Sequence, residues 1–212
     1  TIFEYFRKHT KEAKEKCFVL ASKDKLAILS HSDAEGWGEA FGAVEDCGVG
    51  HGGVGSGYGE DADNHKEIFK VLAEKHPRLV VINYKGPDSR GHANDWEGYL
   101  KAIQETDGYL CGLWDFIQGD PFYKGVTTMF MTNDHGRHLD GVKDGFVNHG
   151  CDCEGCRHLN FWAAGPDFKK GKVLDTPRVQ IDICTTAAAL LDVPAADSKG
   201  TVMEELFLKG KN

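Results

Sequence analysis

The feature that most constrains this chain is an apolar, β-rich run that ends abruptly in polar groups. The run covers Thr127 to Thr132, and the segment Asn133-Asp134-His135-Gly136-Arg137-His138 follows it directly. Adjacent side chains on a strand point to opposite faces, so Asp134 and His135 converge on one ligand only if the strand ends near Asn133. Gly136 favours such an end, because glycine adopts turn conformations freely. The pattern therefore predicts a strand that delivers a carboxylate and imidazoles to a loop.

The size and composition of the chain predict a globular fold. Its 212 residues suit one large domain or two small ones, and with 41% hydrophobic residues it can fill a sizeable core. We assign residues 1–212 to a single domain. No apolar run is long enough to cross a membrane, and a net charge of −8 argues against a nucleic-acid partner. The composition leaves the oligomeric state open.

The order of helix and strand signals predicts an α/β fold. Predicted helices cover residues 2–15, 24–30, 63–75, 94–117 and 181–191, and predicted strands cover 17–21, 78–84, 127–132 and 159–164. The strand at 78–84, the long helix and the strand at 127–132 form a βαβ unit, which makes its two strands parallel. We expect the strand at 159–164 to run antiparallel to them, because His158 can then reach the same edge.

Ionisable residues follow two of these predicted strands. Asp88 and His92 come after the first strand of the βαβ unit, and Asp134 and His135 come after the second. Because ligands bind at the carboxyl ends of strands in open α/β sheets, we expect the two groups to meet.

These residue types suit metal ions. Asp88, His92 and His158 have the composition of an open three-ligand zinc site, whereas Asp134 and His135 need further ligands from elsewhere. Two ions roughly 3.5–4 Å apart would stabilise both the attacking and the leaving oxygen at a phosphorus or sulfur centre. Each residue taken singly also has a purely structural explanation, such as a turn or a surface histidine.

Two other motifs are weaker. Seven of the twelve residues from Gly48 to Gly59 are glycine, which favours a surface loop over a dinucleotide site, since no clear strand precedes it. The segment His149-Gly150-Cys151-Asp152-Cys153-Glu154-Gly155-Cys156 has zinc-binding residue types but lacks a second Cys-x-x-Cys half, so a disulfide or free thiols are favoured over a zinc site. The cysteines leave the cellular compartment open.

Three segments resemble the metal-binding blocks of the alkaline phosphatase superfamily. They are Asp88-Ser89-Arg90-Gly91-His92, Asn133-Asp134-His135-Gly136 and Gly155-Cys156-Arg157-His158. Members of this superfamily include alkaline phosphatases, nucleotide pyrophosphatase/phosphodiesterases, sulfatases and cofactor-independent phosphoglycerate mutases. The resemblance runs from about residue 79 to the end of the chain. It implies an α/β fold with a mixed, mostly parallel sheet and helices on both faces.

The resemblance also implies two divalent metal ions. It places Asp88, His92 and His158 on one ion and Asp134 with His135 on the other, with zinc favoured and manganese as the alternative. Arg137 and His138 would stabilise charge on a transferred phosphoryl or sulfuryl group, and a solvated loop is the alternative for this pair.

The activity implied by the resemblance is hydrolysis of small phosphate or sulfate esters through a covalent intermediate. The alternatives are a phosphoglycerate mutase-like phosphotransfer and a metal-binding remnant without catalysis.

The superfamily pattern further includes an aspartate on the first strand and a Ser or Thr nucleophile, and no residue here matches either. Both would precede the helix at 2–15, so we expect a fold that is incomplete at its N-terminus, with its nucleophile outside this chain. Weak metal occupancy and little turnover are then expected of these residues alone. A removed upstream signal would place the protein outside the cytoplasm or in the periplasm, and the residues themselves leave localisation open.

Overall fold

The computed structural model describes residues 1–208 and divides the chain into two compact units. Unit 1 contains Thr1–Gly86 and Cys184–Lys199, and unit 2 contains Pro87–Ile183 and residues 200–208. The assignment of the whole chain to one domain stays a prediction. The helices are α1 (Ile2–Thr10), α2 (Asp61–Lys75), α3 (Gly86–His92), α4 (Trp96–Gly119), α5 (Glu154–Arg157) and α6 (Ile181–Leu190). The strands are β1 (Cys17–Ala21), β2 (Val44–Cys47), β3 (Leu79–Asn83), β4 (Met129–Thr132) and β5 (Phe161–Ala164).

Unit 1 is built on a parallel three-stranded sheet with the order β2-β1-β3. Phe18 of the central strand lies opposite Val44 on one side and Val80 on the other. All five residues of β1 are buried, as a continuous apolar run predicts for a strand covered on both faces. Phe3 and Phe6 of α1 contribute to the same core. The predicted α/β fold with a parallel sheet is therefore confirmed.

Helix α1 is shorter than the predicted helix at 2–15. Lys11 adopts a left-handed conformation with φ 64°, and its N–H donates to the Arg7 carbonyl over 2.9 Å, which ends the helix. Near the start of the helix, Glu4 is fully buried and accepts hydrogen bonds from Ser32 and Gly38. Burial acts to raise the pKa of Glu4, but hydrogen bonds from the Thr1 amino group, Ser32 and Gly38 outweigh it and lower the pKa to about 2.

Unit 2 contains an antiparallel pair of strands, β4 and β5. Met129 lies opposite Ala164, and Thr132 lies opposite Phe161. The ring of Phe130 lies 5.5 Å from that of Phe161 on the partner strand. The predicted antiparallel direction of the strand after His158 is therefore confirmed. Across residues 1–208, no helix is both long enough and apolar enough to cross a membrane.

The predicted βαβ unit is not what the strand pairing shows. Among the described strands, β3 pairs with β1, whereas β4 pairs with β5, so the two strands that flank the long helix belong to different sheets. The residues of β3 are half-buried rather than fully buried. The apolar pattern predicted the strands themselves correctly, but it does not encode which strand edges hydrogen-bond.

Two helix starts also differ from the prediction. The segment at 85–92, which lies outside the predicted helices, forms α3, because the Asp61 carboxylate accepts from the N–H groups of Lys85 and Gly86 and Pro87 then stands in the first turn. Helix α4 begins at Trp96 rather than at Asn94, because Asp95 caps it through a 2.9 Å hydrogen bond from the Gly98 N–H. Asp and Asn cap helices equally well, so the sequence did not distinguish them.

The apolar residues of α4 are only partly buried. Ala102, Leu113 and Ile117 are buried, whereas Trp96, Leu100 and Ile103 are 49%, 39% and 42% exposed.

Candidate metal centre

One carboxylate oxygen lies at the centre of the polar cluster in unit 2. Oδ1 of Asp88 lies 3.3 Å from Nε2 of His92, which stands one helical turn later on α3. It also lies 3.6 Å from Nε2 of His149 and 4.0 Å from Nε2 of His135. One donor atom each of Asp88, His135 and His149 lies within 4.8 Å of the others. The structure thus gathers three imidazoles around a largely buried carboxylate.

The imidazoles of His135 and His149 are stacked, with ring centroids 3.5 Å apart and an interplanar angle of 19°. Burial lowers the pKa of His149, and the charge of His135 beside it adds to this effect. The neutral imidazole is therefore favoured, and this is the form that binds metal ions. Sequence reasoning did not place His149 in this cluster. The sequence does contain one indication that His149 belongs to the site: the His149-Gly150 pair repeats the His135-Gly136 pattern.

Asn133 organises the loop that follows β4. Its side-chain amide donates to the carbonyls of His135 and His158 over 2.9 and 3.3 Å, and its Oδ1 accepts from the N–H of Asn160 over 2.8 Å. The strand therefore ends at Thr132, as predicted, and the loop after it is tied to the segment before β5. Asp134 is mostly exposed, and its Oδ2 lies 3.5 Å from Nε2 of His135.

Two glycines permit a close backbone approach behind this loop. A Cβ on Gly136 would lie 1.9 Å from the carbonyl oxygen of Gly155, and a Cβ on Gly155 would lie 2.4 Å from that of Arg137. The N–H of Gly136 donates to the Cys156 carbonyl over 2.9 Å. Only glycine fits at such a distance, which gives the glycine of the Asp-His-Gly motif a physical reason.

The side chain of Arg137 is buried, and its guanidinium donates hydrogen bonds to groups of the protein. One guanidinium nitrogen donates to both the carbonyl and the carboxylate of Asp88, each over 2.6 Å. The other donates to the carbonyls of Phe146 and Val147 over 3.1 and 3.0 Å. A Cβ on Gly91 would lie 2.2 Å from the Arg137 guanidinium carbon, so glycine makes room for it. Arg137 therefore positions Asp88, and its predicted contact with substrate stays a prediction.

The remaining predicted residues, His138 and His158, lie in the same unit. His138 is buried, and its Nδ1 lies 2.7 Å from Oδ1 of Asp144. A hydrogen bond from Asn148, followed by the one from His138, lowers the pKa of Asp144. His158 is exposed, and its backbone carbonyl accepts from Asn133. Within residues 1–208, the compact donor groups of three are Asp88/His135/His149 and His138/Cys151/Cys156, and neither includes His158. The role of His158 as a ligand stays a prediction.

The chemistry of the Asp88 cluster fits a divalent metal ion. A carboxylate and neutral imidazoles are the donors that zinc and manganese accept in proteins. Arg137 uses part of the acceptor capacity of Asp88, but a carboxylate offers about four lone-pair sites, so others remain for an ion.

Comparison with known proteins shows which enzymes this part of the chain is similar to. A family model described as the Metalloenzyme superfamily matches residues 50–152, which include Asp88, His92, Asp134, His135 and His149. The match confirms, for this part of the chain, the resemblance to the alkaline phosphatase-like superfamily of metal-dependent enzymes found in the sequence.

The chain is also similar to a particular enzyme. The phosphopentomutase of Pseudothermotoga lettingae is 32% identical to this chain over 115 residues, which is 52% of this chain and 27% of that protein. The chain thus spans about a quarter of the length of this relative. No solved structure matches the chain significantly.

Proposed function

We propose that this chain provides the metal-binding part of an enzyme that cleaves or transfers phosphate esters. The observation that carries the proposal is the convergence of His92, His135 and His149 on Oδ1 of Asp88, within the segment matched by the superfamily model. A bound divalent ion, zinc in the first place and manganese as the alternative, would polarise a phosphoryl oxygen.

Each residue beside the proposed ion has a defined role. Asp88 supplies the anionic donor, and Arg137 fixes its orientation through two hydrogen bonds of 2.6 Å. Asp134 lies beside His135 and adds a donor to the ion that His135 binds, whereas the resemblance assigns these two residues to a second ion. His158 is the further ligand that the resemblance assigns to the first ion.

Two types of reaction are candidates for such an enzyme. The first is hydrolysis, in which water accepts the phosphoryl or sulfuryl group, as the resemblance to phosphatases and sulfatases implies. The second is phosphotransfer to another hydroxyl, which the similarity to a phosphopentomutase supports. That similarity also supports phosphate over sulfate as the group that is handled.

The test is a product analysis on the native protein purified without chelator. Metal content is measured by mass spectrometry, and turnover is measured with a phosphate monoester, a phosphate diester and a sulfate ester, with and without a sugar acceptor. Free phosphate indicates hydrolysis, and phosphate on the acceptor indicates transfer.

The proposal expects Asp88→Asn to remove both the metal and the turnover, while Asp115→Asn, on the exposed face of α4, leaves both unchanged. Turnover that survives Asp88→Asn, or a metal-loaded protein without any turnover, would refute it. The latter result would support the metal-binding remnant instead.

A further inference from the structure

A second group of donors lies in unit 2 and uses none of the residues around Asp88. One donor atom each of His138, Cys151 and Cys156 lies within 4.8 Å of the others. The sulfur atoms of Cys151 and Cys156 are 3.8 Å apart, and all seven cysteines of the chain are free thiols. Imidazole and thiolate are the donors of structural zinc sites.

The imidazole of His138 shows that this group is more than a chance cluster of cysteines. Its side chain is 3% exposed, and Nδ1 is bonded to the Asp144 carboxylate. Nε2 is buried and has no hydrogen-bond partner among residues 1–208. A buried polar nitrogen without a partner is costly, and Nε2 is the nitrogen left to bind an ion. A carboxylate on the opposite ring nitrogen is the usual support of a metal-bound histidine.

The backbone holds the three donors in place. The His138 N–H donates to the Asn148 carbonyl over 3.1 Å, which brings the segment before Cys151 alongside. The close approach of Gly155 to Arg137 fixes the turn that carries Cys156. The N–H of Cys153 donates to the sulfur of Cys151 over 3.4 Å, which places a third cysteine in the same loop.

We propose that His138, Cys151 and Cys156 bind a structural zinc ion, with Cys153 as the fourth ligand. Such a closed Cys₃His site holds a fold together rather than performing catalysis. Here it would fasten the loop that carries His149 to the segment that carries His135. The proposal is independent of the proposed function, because it involves none of the residues of the Asp88 cluster.

The probe is Co²⁺ alone, titrated without oxygen into the complete, reduced and metal-free chain. Thiolate-to-cobalt charge-transfer absorption reports sulfur ligands and is silent for an ion held by carboxylate and imidazole. One equivalent of Co²⁺ should produce this absorption, and Zn²⁺ should abolish it by displacement. Cys111→Ser is the matched control, since Cys111 is exposed on α4, and it should leave the absorption unchanged.

Variants assign the ligands. Cys151→Ser and Cys156→Ser should each remove much of the absorption and weaken Co²⁺ binding at least tenfold. Asp144→Asn should weaken binding by about tenfold while the absorption spectrum persists, because it alters only the support of His138. Far-ultraviolet circular dichroism identifies a variant that has failed to fold. Cys151 is only half-buried, so its variant serves if the Cys156 variant unfolds.

The competing outcome is a disulfide between Cys151 and Cys156, which would need an external two-electron oxidant. Peptide mapping after alkylation of protein purified without reductant detects it. The zinc proposal is overturned if the reduced chain shows no charge-transfer absorption. It is equally overturned if both serine variants keep that absorption in full.

Discussion

The close contact between Gly136 and Gly155 makes a sharp prediction about stability. In Gly136→Ala, the new methyl group would lie 1.9 Å from the Gly155 carbonyl oxygen and 3.0 Å from that of His158, so the two segments must separate. The backbone of Gly136 is not left-handed, so the penalty is steric alone. Overpacking costs about 1–3 kcal/mol, and weakening the hydrogen bond to the Cys156 carbonyl adds about 1 kcal/mol. The expected loss is about 2–4 kcal/mol.

The assay is urea unfolding followed by tryptophan fluorescence, to which Trp96, Trp114 and Trp162 of unit 2 contribute. Gly108→Ala is the matched control in the same unit, because a Cβ there meets no atom of the described residues within 4 Å. This control should gain about 0.5–1 kcal/mol, since alanine favours a helix interior over glycine. Equal stability of Gly136→Ala and the wild type would refute the argument from close approach.

Three further predictions concern the polar groups. Arg137→Gln should lower the free energy of unfolding by about 3 kcal/mol, because it removes the buried guanidinium that donates to the Asp88 carboxylate, whereas Arg157→Gln on the exposed end of α5 should change it by less than about 0.5 kcal/mol; urea unfolding compares them. Asn133→Ala should cost about 1–2 kcal/mol and weaken metal binding, because the loop of His135 loses its hydrogen bonds; calorimetry that finds unchanged metal affinity would contradict this. The pKa of Glu4 is lowered from 4.5 to about 2, so its contribution to the free energy of unfolding is complete above about pH 4.5 and is lost as the pH falls towards 2. Unfolding curves of Glu4→Gln, measured over this pH range, should lack this part of the acid dependence.

Much of the secondary structure could be predicted from local patterns in the sequence. The five apolar residues of β1 and the alternation of apolar and charged residues in α2 predicted those elements, because burial depends on side chains within one segment. Strand pairing was not predictable in the same way. It depends on which backbone edges meet, and β4 meets β5 rather than β3.

In the candidate site, too, contacts within one segment could be predicted from the sequence and contacts between distant segments could not. Asp88 and His92 stand four residues apart on one helix, so their proximity follows from local geometry. The sequence argument for bringing His135 to them invoked a βαβ unit that the described strands do not form, yet the contact is present. His149 and the partnership of His138 with Cys151 and Cys156 depend on the path of the loop from 139 to 157. That path is fixed by backbone contacts of glycines and carbonyls, which residue types do not reveal.

The central claim is that Asp88, His92, His135 and His149 hold a divalent metal ion. The direct measurement is calorimetric titration of the metal-free chain with Mn²⁺, which prefers carboxylate and imidazole donors and avoids the cysteine cluster. The claim predicts saturable binding by the wild type and by His9→Gln, whose exposed residue lies in the last turn of α1 in the other unit. It predicts at least tenfold weaker binding by His149→Gln and by Asp88→Asn. Binding isotherms of these two variants that coincide with that of the wild type would contradict it.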